Sequence, residues 1–166
     1  MYSDSVSPDL IHLSPQQIRL LTPDQMLLLN VSEQVVTLFG EARKTQAQGR
    51  FADHAFRMLA ILLIAHEGAP YETLYAGLYC SEVCLRRVLA AASLKIREFQ
   101  HEVAQRQAYL ARLKDSALEA EIKQIRRAVK GEGGVAEVLK TKRFGWMIQT
   151  IYRKGYILVA EPTRKG

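Results

Sequence analysis

The C-terminal segment 147–159 limits most narrowly what this chain can fold into. Two runs rich in β-branched and aromatic residues flank a short polar connection that contains Arg153 and Lys154. This pattern predicts a β-hairpin with the two cations at its tip. A two-stranded ribbon with a basic turn can reach a nucleic-acid backbone or minor groove, because the phosphates attract it. The segment therefore indicates a nucleic-acid-binding protein.

The charge of the chain is unevenly distributed. The formal net charge is +6 over 166 residues. Residues 1–80 hold 5 Lys/Arg and 8 Asp/Glu, which gives −3, whereas residues 81–166 hold 18 and 9, which gives +9. A strongly basic half is the electrostatic footprint of nucleic-acid binding. The predicted hairpin lies in that half, so the two observations favour the same class of function.

In the first half of the chain, the sequence pattern predicts two short helices, a strand and a loop, followed by a core helix. With 48% hydrophobic residues the chain can build one domain with its own core. Ser14-Pro15 and Thr22-Pro23 combine an N-cap residue with proline, which predicts helices at 15–21 and 23–30. The remaining predictions are a strand at 35–39, a loop at 41–50, the core helix at 51–66 and a helix at 71–79.

The second half predicts long helices before the hairpin. Residues 81–114 contain neither glycine nor proline and predict one continuous helix. Ser116 and Glu119 form a capping-box pattern, which predicts that a new helix starts there and ends at Gly131. Within the first helix, apolar residues recur at three- and four-residue steps. This apolar stripe packs either on its own domain or on a second copy of the chain. We expect a homodimer through the stripe, which contains Phe99, Val103, Leu110 and Leu113.

Two segments are candidates for a helix that reads DNA in the major groove. The first is 81–92, which leaves Arg86 and Arg87 outward. The second is 117–130, whose apolar face includes Ile122 and Ile125. Arginine suits guanine or phosphate and glutamine suits adenine. The second segment turns five polar side chains outward, namely Lys123, Gln124, Arg126, Arg127 and Lys130.

The segments AHEGAP, YETLYAGLY, 117–130 and IQT-I-YRK-GY-ILV resemble the OmpR/PhoB-type winged-helix DNA-binding domain of transcription regulators. That family's recognition helix reads roughly VDVHIRRLRRKL, and its wing typically runs IxTVRGxGYxL. The resemblance covers roughly 70 residues. At the wing, Tyr152 takes the place of the usual arginine and Arg153 that of the turn glycine. The role of the minor-groove arginine is therefore expected to pass to Arg153 or Lys154, or else the wing contacts DNA in a different way. The DNA-binding residues expected in the wing are Tyr152, Arg153 and Lys154.

The resemblance implies a mainly α fold with a small β component, a winged helix-turn-helix with a C-terminal β-hairpin wing. Residues 1–50 would pack on the core, and residues 51–166 would form the DNA-binding domain. A helical insertion at about 81–116 departs from the family pattern, in which a much shorter loop is usual. We expect no phospho-accepting receiver domain before the module, because 50 residues are too few to form one.

Other classes of function are poorly supported by the sequence. The four histidines lack metal-ligand spacing, and neither a P-loop nor a nucleophile elbow is present. We therefore expect no enzyme, no metal and no cofactor. Cys80 and Cys84 are expected to be buried free thiols rather than a disulfide framework. The longest apolar run, 58–65, is too short to span a bilayer, so we expect a cytoplasmic protein without a membrane partner.

Together these features predict a sequence-specific, double-stranded DNA-binding transcription regulator. A helix would read the major groove, and the basic wing would grip the backbone or minor groove. The insertion would contact a second subunit or RNA polymerase. The alternative is a protein-interaction adaptor that uses the 93–114 helix and the basic face to bind an acidic partner, without sequence-specific DNA contact.

Overall fold

The computed structural model describes residues 9–162 and shows an α/β architecture. An antiparallel four-stranded sheet comes first, in the order β1-β2-β3-β4, and a three-stranded sheet has the order β5-β7-β6. Six helices lie between β4 and β6 within the described residues. The elements are β1 Leu10–Leu13, β2 Met26–Asn30, β3 Val35–Phe39, β4 Thr45–Arg50, α1 Asp53–Ile64, β5 Ala69–Pro70, α2 Tyr71–Tyr79, α3 Glu82–Ala91, α4 Arg97–Ala111, α5 Asp115–Lys130, α6 Val135–Thr141, β6 Trp146–Ile151 and β7 Gly155–Ala160.

The predicted fold class, a mainly α winged helix-turn-helix with a small β component, is wrong. The chain is 47% helical and 22% strand, and a complete four-stranded sheet occupies its N-terminal part. The predicted helices at 15–21 and 23–30 are turns and the strand β2 instead. Ser14 and Thr22 accept backbone hydrogen bonds that close turns, from Gln17 and Gln25 respectively. In β2 the burial alternates with a period of two, which places Leu27 and Leu29 in the core.

The structure also tests the element boundaries predicted from residue 35 onward. The loop predicted at 41–50 contains a 3-10 turn, Glu41–Arg43, and then β4, whereas the strand at 35–39 is confirmed as β3. The continuous helix predicted at 81–114 is broken between α3 and α4, where Ala92 adopts a left-handed φ of 50°. This break lets α3 pack against α1 and β1 while α4 packs against α2. Ser116 does not cap α5, because the helix already begins at Asp115.

Helix α1 is the centre of the fold. Residues 58–61 on four successive positions are completely inaccessible to solvent. A helix that is apolar on every side must be surrounded by other elements. Helix α1 packs against α2, α3, α5, α6 and β7, and its buried residues belong to the same core as those of the N-terminal sheet. The core helix predicted from the sequence is therefore confirmed.

The β6–β7 hairpin is confirmed and is fixed to the start of α2 by backbone pairing. Strand β5 pairs with β7 through Ala69 and Tyr156 and through Pro70 and Gly155. The Tyr71 amide, at the start of α2, donates a hydrogen bond of 2.8 Å to the Lys154 carbonyl oxygen. Backbone hydrogen bonds therefore link the turn of the hairpin to the start of α2.

Gly155 is required for a reason different from the one that the sequence suggests. A glycine next to the hairpin turn is expected to supply a positive φ, but Arg153 adopts the left-handed conformation instead, with φ 57°. A Cβ atom at Gly155 would overlap the carbonyl oxygen of Ala69. Close approach of the β5 backbone therefore determines the residue at this position.

We predict that Gly155→Ala destabilises the fold by about 3 kcal/mol or more, since the added methyl group meets backbone that is fixed by α2. Gly145→Ala is the control, because Gly145 has φ 82° and open space around its Cα. That variant should cost only about 1–2 kcal/mol through its left-handed backbone. Urea unfolding can be followed by the fluorescence of the buried Trp146. Equal losses in the two variants would contradict the close-approach explanation.

Candidate nucleic-acid interface

Helix α5 turns its cations to solvent because its apolar residues lie on the opposite side. Ile125, Ala128 and Val129 are buried, and the helix packs against α1, α2 and α6. Basic residues in the last turns of a helix are also favoured by the helix dipole. The predicted outward residues of α5 are all exposed, namely Lys123, Gln124, Arg126, Arg127 and Lys130.

The C-terminal half of α5 contacts the hairpin through two of these cations. The Lys130 ammonium donates a hydrogen bond of 2.8 Å to the Thr150 hydroxyl and lies 5.7 Å from the centre of the Tyr156 ring. Interaction with the Tyr156 hydroxyl raises the pKa of Arg126, and Glu119 forms an ion pair with Arg126 at 3.7 Å. The structure therefore places the C-terminal half of α5 in contact with the strands of the hairpin.

Other cations of this surface have no partner. In residues 9–162, Lys123 and Arg127 form neither a hydrogen bond through their side chains nor an ion pair, although both are exposed. At the hairpin tip, Arg153 and Lys154 are exposed as well, and the Arg153 guanidinium lies 5.0 Å from the centre of the Tyr152 ring. The Tyr152 side chain is 77% exposed. These groups are available to an external anion.

The alternative recognition helix, 81–92, has different surroundings. It corresponds to α3, which follows α2 after a two-residue connection in which the Ser81 hydroxyl accepts a hydrogen bond of 3.0 Å from the Cys84 amide. Arg86 binds Asp9 at 2.5 Å and Glu82 at 3.3 Å, and Arg87 forms an ion pair with Glu98. Both arginines are therefore engaged within the chain, on a helix that packs against α1, α4 and β1.

The apolar stripe predicted to contact a second copy is an internal packing face. Phe99 and Leu110 are buried in the core of this chain. Val103 and Leu113 are half-buried and pack against the same core. The stripe is covered because α4 folds back onto α2. The structure therefore gives no support to a homodimer through this stripe.

The sequence gives little indication of a tyrosine cluster between α2 and α4. The rings of Tyr75 and Tyr109 stack with centres 6.1 Å apart, and Tyr79 contacts Tyr75 edge-on at 4.8 Å. The Arg106 guanidinium lies 5.8 Å and 5.4 Å from the ring centres of Tyr75 and Tyr79. Their helical spacing puts Tyr75 and Tyr79 on one face of α2, but only the fold brings α4 to that face.

The same cluster connects α2 to α5. The Tyr75 hydroxyl donates a hydrogen bond to the Glu121 carboxylate, and the Tyr79 hydroxyl donates one to the Gln124 side-chain oxygen. Burial raises the pKa of Tyr75, and the bond to Glu121 raises it further. Since Gln124 accepts from Tyr79, its side-chain amide group remains free to donate. The cluster therefore restrains the face of α5 that precedes the free cations.

The described residues contain neither a cluster of metal ligands nor a membrane-spanning helix. In that part of the chain no three His, Cys, Asp or Glu side chains come together as metal ligands. None of the helices described is both long and apolar enough to cross a membrane. Cys80 and Cys84 are buried free thiols, as expected, and burial raises the pKa of Cys80 to about 11.

Comparison of the chain with protein-family models, curated proteins and solved structures found no match.

We predict that Tyr75→Phe destabilises the protein by about 1–2 kcal/mol, because the half-buried Glu121 carboxylate loses its hydrogen-bond donor. The control is Tyr152→Phe, since Tyr152 is exposed and its hydroxyl forms no hydrogen bond within residues 9–162. The free energy of unfolding in urea measures both effects. An unchanged stability of Tyr75→Phe would show that the bond does not hold α5 in place.

Proposed function

We propose that this chain binds double-stranded DNA and acts as a sequence-specific transcription regulator. The surface that would contact DNA, called here the α5–hairpin surface, consists of the exposed cations of α5 and of the hairpin tip. The observation that supports the proposal is the contact between these two elements, in which Lys130 of α5 binds Thr150 of the hairpin and Arg126 interacts with Tyr156. The members of the surface are Lys123, Arg126, Arg127, Lys130, Arg153 and Lys154.

The shape of this surface suits a duplex. The major groove of B-form DNA admits an α-helix, and the 16 residues of α5 extend over about 24 Å. Lys123 and Arg127 are one helical turn apart and face the same way, so both can approach one groove wall. The hairpin tip would then reach the adjacent backbone or minor groove. Free cations on both elements supply the attraction to phosphate.

The acidic residues of α5 define which part of the helix would approach DNA. Asp115, Glu119 and Glu121 lie in its first half, and phosphates repel them. Glu121 is bound to Tyr75, so it faces α2 rather than solvent. The middle and the C-terminal half of α5 would therefore enter the groove, with Gln124 and Arg127 in reach of base edges.

The resemblance of the segments 117–130 and 147–159 to OmpR/PhoB-type transcription regulators supports the same proposal, since these segments contain most of α5 and the hairpin. The arginines of α3 are less suitable for DNA contact, because Arg86 and Arg87 are neutralised by carboxylates of the same chain.

Removal of the two free cations of α5 tests the proposal. We predict that Lys123→Ala with Arg127→Ala weakens duplex binding and lowers the slope of log affinity against log salt by about 2, roughly one per lost phosphate contact. Lys44→Ala with Lys95→Ala is the control, because it removes the same charge from exposed positions outside the α5–hairpin surface. Fluorescence anisotropy of a labelled duplex measures both quantities. If both double variants lost the same duplex affinity, the effect would come from net charge alone, and the proposal would be contradicted.

Selection from a pool of random duplexes tests sequence specificity with the wild-type chain. We expect an enriched sequence whose binding is lost with Lys123→Ala and Arg127→Ala. Arg153→Ala with Lys154→Ala should weaken binding to it while leaving the unfolding free energy nearly unchanged, since exposed charges contribute little to stability. A pool without any enriched sequence would favour the adaptor alternative, in which the basic face binds an acidic protein.

A further inference from the structure

A second basic groove lies beside β6, away from the hairpin tip. Lys130, Lys140 and Arg143 surround it, and Glu161 and Pro162 stand at one end. Apolar side chains of Ala136, Trp146, Met147 and Ile148 contribute its floor. Its volume is about 750 Å³, which is enough for a few side chains of a ligand. Of these residues, only Lys130 belongs to the α5–hairpin surface.

The groove lies beside the outer strand of a sheet, and α6 packs against the same strand. The order β5-β7-β6 makes β6 an outer strand. Among residues 9–162, no backbone group of 147–150 forms a hydrogen bond to any element other than β7. Unpaired amide and carbonyl groups at such an edge are a template on which an extended peptide can add a further strand.

The charges beside this edge favour an acidic ligand. Among the described residues that line the groove, three are cations and one, Glu161, carries a carboxylate, which gives an excess of two positive charges. The side chains of Lys140 and Arg143 form no hydrogen bond or ion pair within the described part of the chain. Arg143 also has a left-handed φ of 59°, a conformation in which glycine is less strained. An arginine therefore occupies a backbone position at which glycine would be less strained.

The floor of the groove offers an apolar contact between these cations. Met147 is 36% exposed, whereas its neighbours Trp146 and Ile148 are buried. The flexible thioether side chain of methionine adapts to differently shaped apolar partners. A DNA backbone has neither an apolar side chain for Met147 nor amide groups for the β6 edge.

We propose that this groove binds an extended acidic segment of a partner protein, which pairs with β6 as an added strand. Alternate side chains of the segment would be carboxylates that reach Lys140 and Arg143, and an apolar side chain would cover Met147. This interaction goes beyond the proposed DNA binding and uses a different face. A regulator with both surfaces would connect DNA to an acidic protein.

The fluorescence of Trp146, the only tryptophan of the chain, can report binding directly. The probe is a synthetic heptapeptide of alternating glutamate and valine, acetylated and amidated at its ends. We expect saturable binding, and a loss of affinity of about tenfold or more with Lys140→Ala and Arg143→Ala. The control Lys44→Ala with Lys95→Ala removes the same charge elsewhere and should bind the peptide like the wild type.

Two controls distinguish strand addition from other modes of binding. A peptide N-methylated at every residue has no backbone amide left for the ladder and should not bind. Absence of binding by the unmodified peptide up to about 1 mM, or equal binding of the methylated peptide, would overturn the proposal.

Measuring the duplex affinity of the same variants distinguishes this proposal from the proposed DNA binding. Lys140→Ala with Arg143→Ala should leave duplex affinity nearly unchanged, whereas Lys123→Ala with Arg127→Ala should lower duplex affinity and leave peptide affinity unchanged. If the Lys140 and Arg143 variant instead loses duplex affinity while the wild type fails to bind the peptide, the groove belongs to the DNA surface and the inference is wrong.

Discussion

The burial of α1 on all sides from Met58 to Ile64 is the constraint on which the rest of the structure depends. Its apolar residues are covered by α2, α3, α5, α6 and β7, and each fully buried large side chain stabilises the fold by about 1.5–3 kcal/mol. Helix α5 is positioned mainly by this packing, through Ile125 and Val129. Its outward cations consequently need no partner in the chain to hold the helix in place. The basic surface is thus a product of apolar packing on the opposite side of α5.

Backbone pairing extends the same rigidity to the hairpin. Strand β5 follows α1 after a tight turn at Gly68, whose φ is 98°, and its pairing with β7 fixes the hairpin at the start of α2. The tyrosine cluster connects α2 to α5 in turn, through Tyr75 and Tyr79. Both parts of the proposed DNA-binding surface therefore lie on fixed elements, which is the arrangement that precise recognition requires.

The sequence predicts the elements whose patterns are unambiguous and misses those that long-range contacts decide. The hairpin, α1, α2 and β3 follow from local pattern, whereas β2 is predicted as a helix because Ser-Pro and Thr-Pro start turns as readily as helices. The run 26–29 is wholly apolar, so its period cannot be read from the sequence. The outward cations of α5 are predictable from helical spacing. The neutralisation of Arg86 by Asp9 is not, since the two residues are distant in the sequence.

The most direct test of the central claim, that α5 and the hairpin together form a DNA-binding surface, is a duplex titration of isotope-labelled protein observed by NMR. The duplex would carry the sequence selected from a random pool, or a random sequence if none is selected. The account predicts that amide shifts change together along 122–130 and 152–154, while amides of α3 and of the β1–β4 sheet stay nearly constant. Changes confined to α3 or to the N-terminal sheet, or no change at all at low salt, would contradict it.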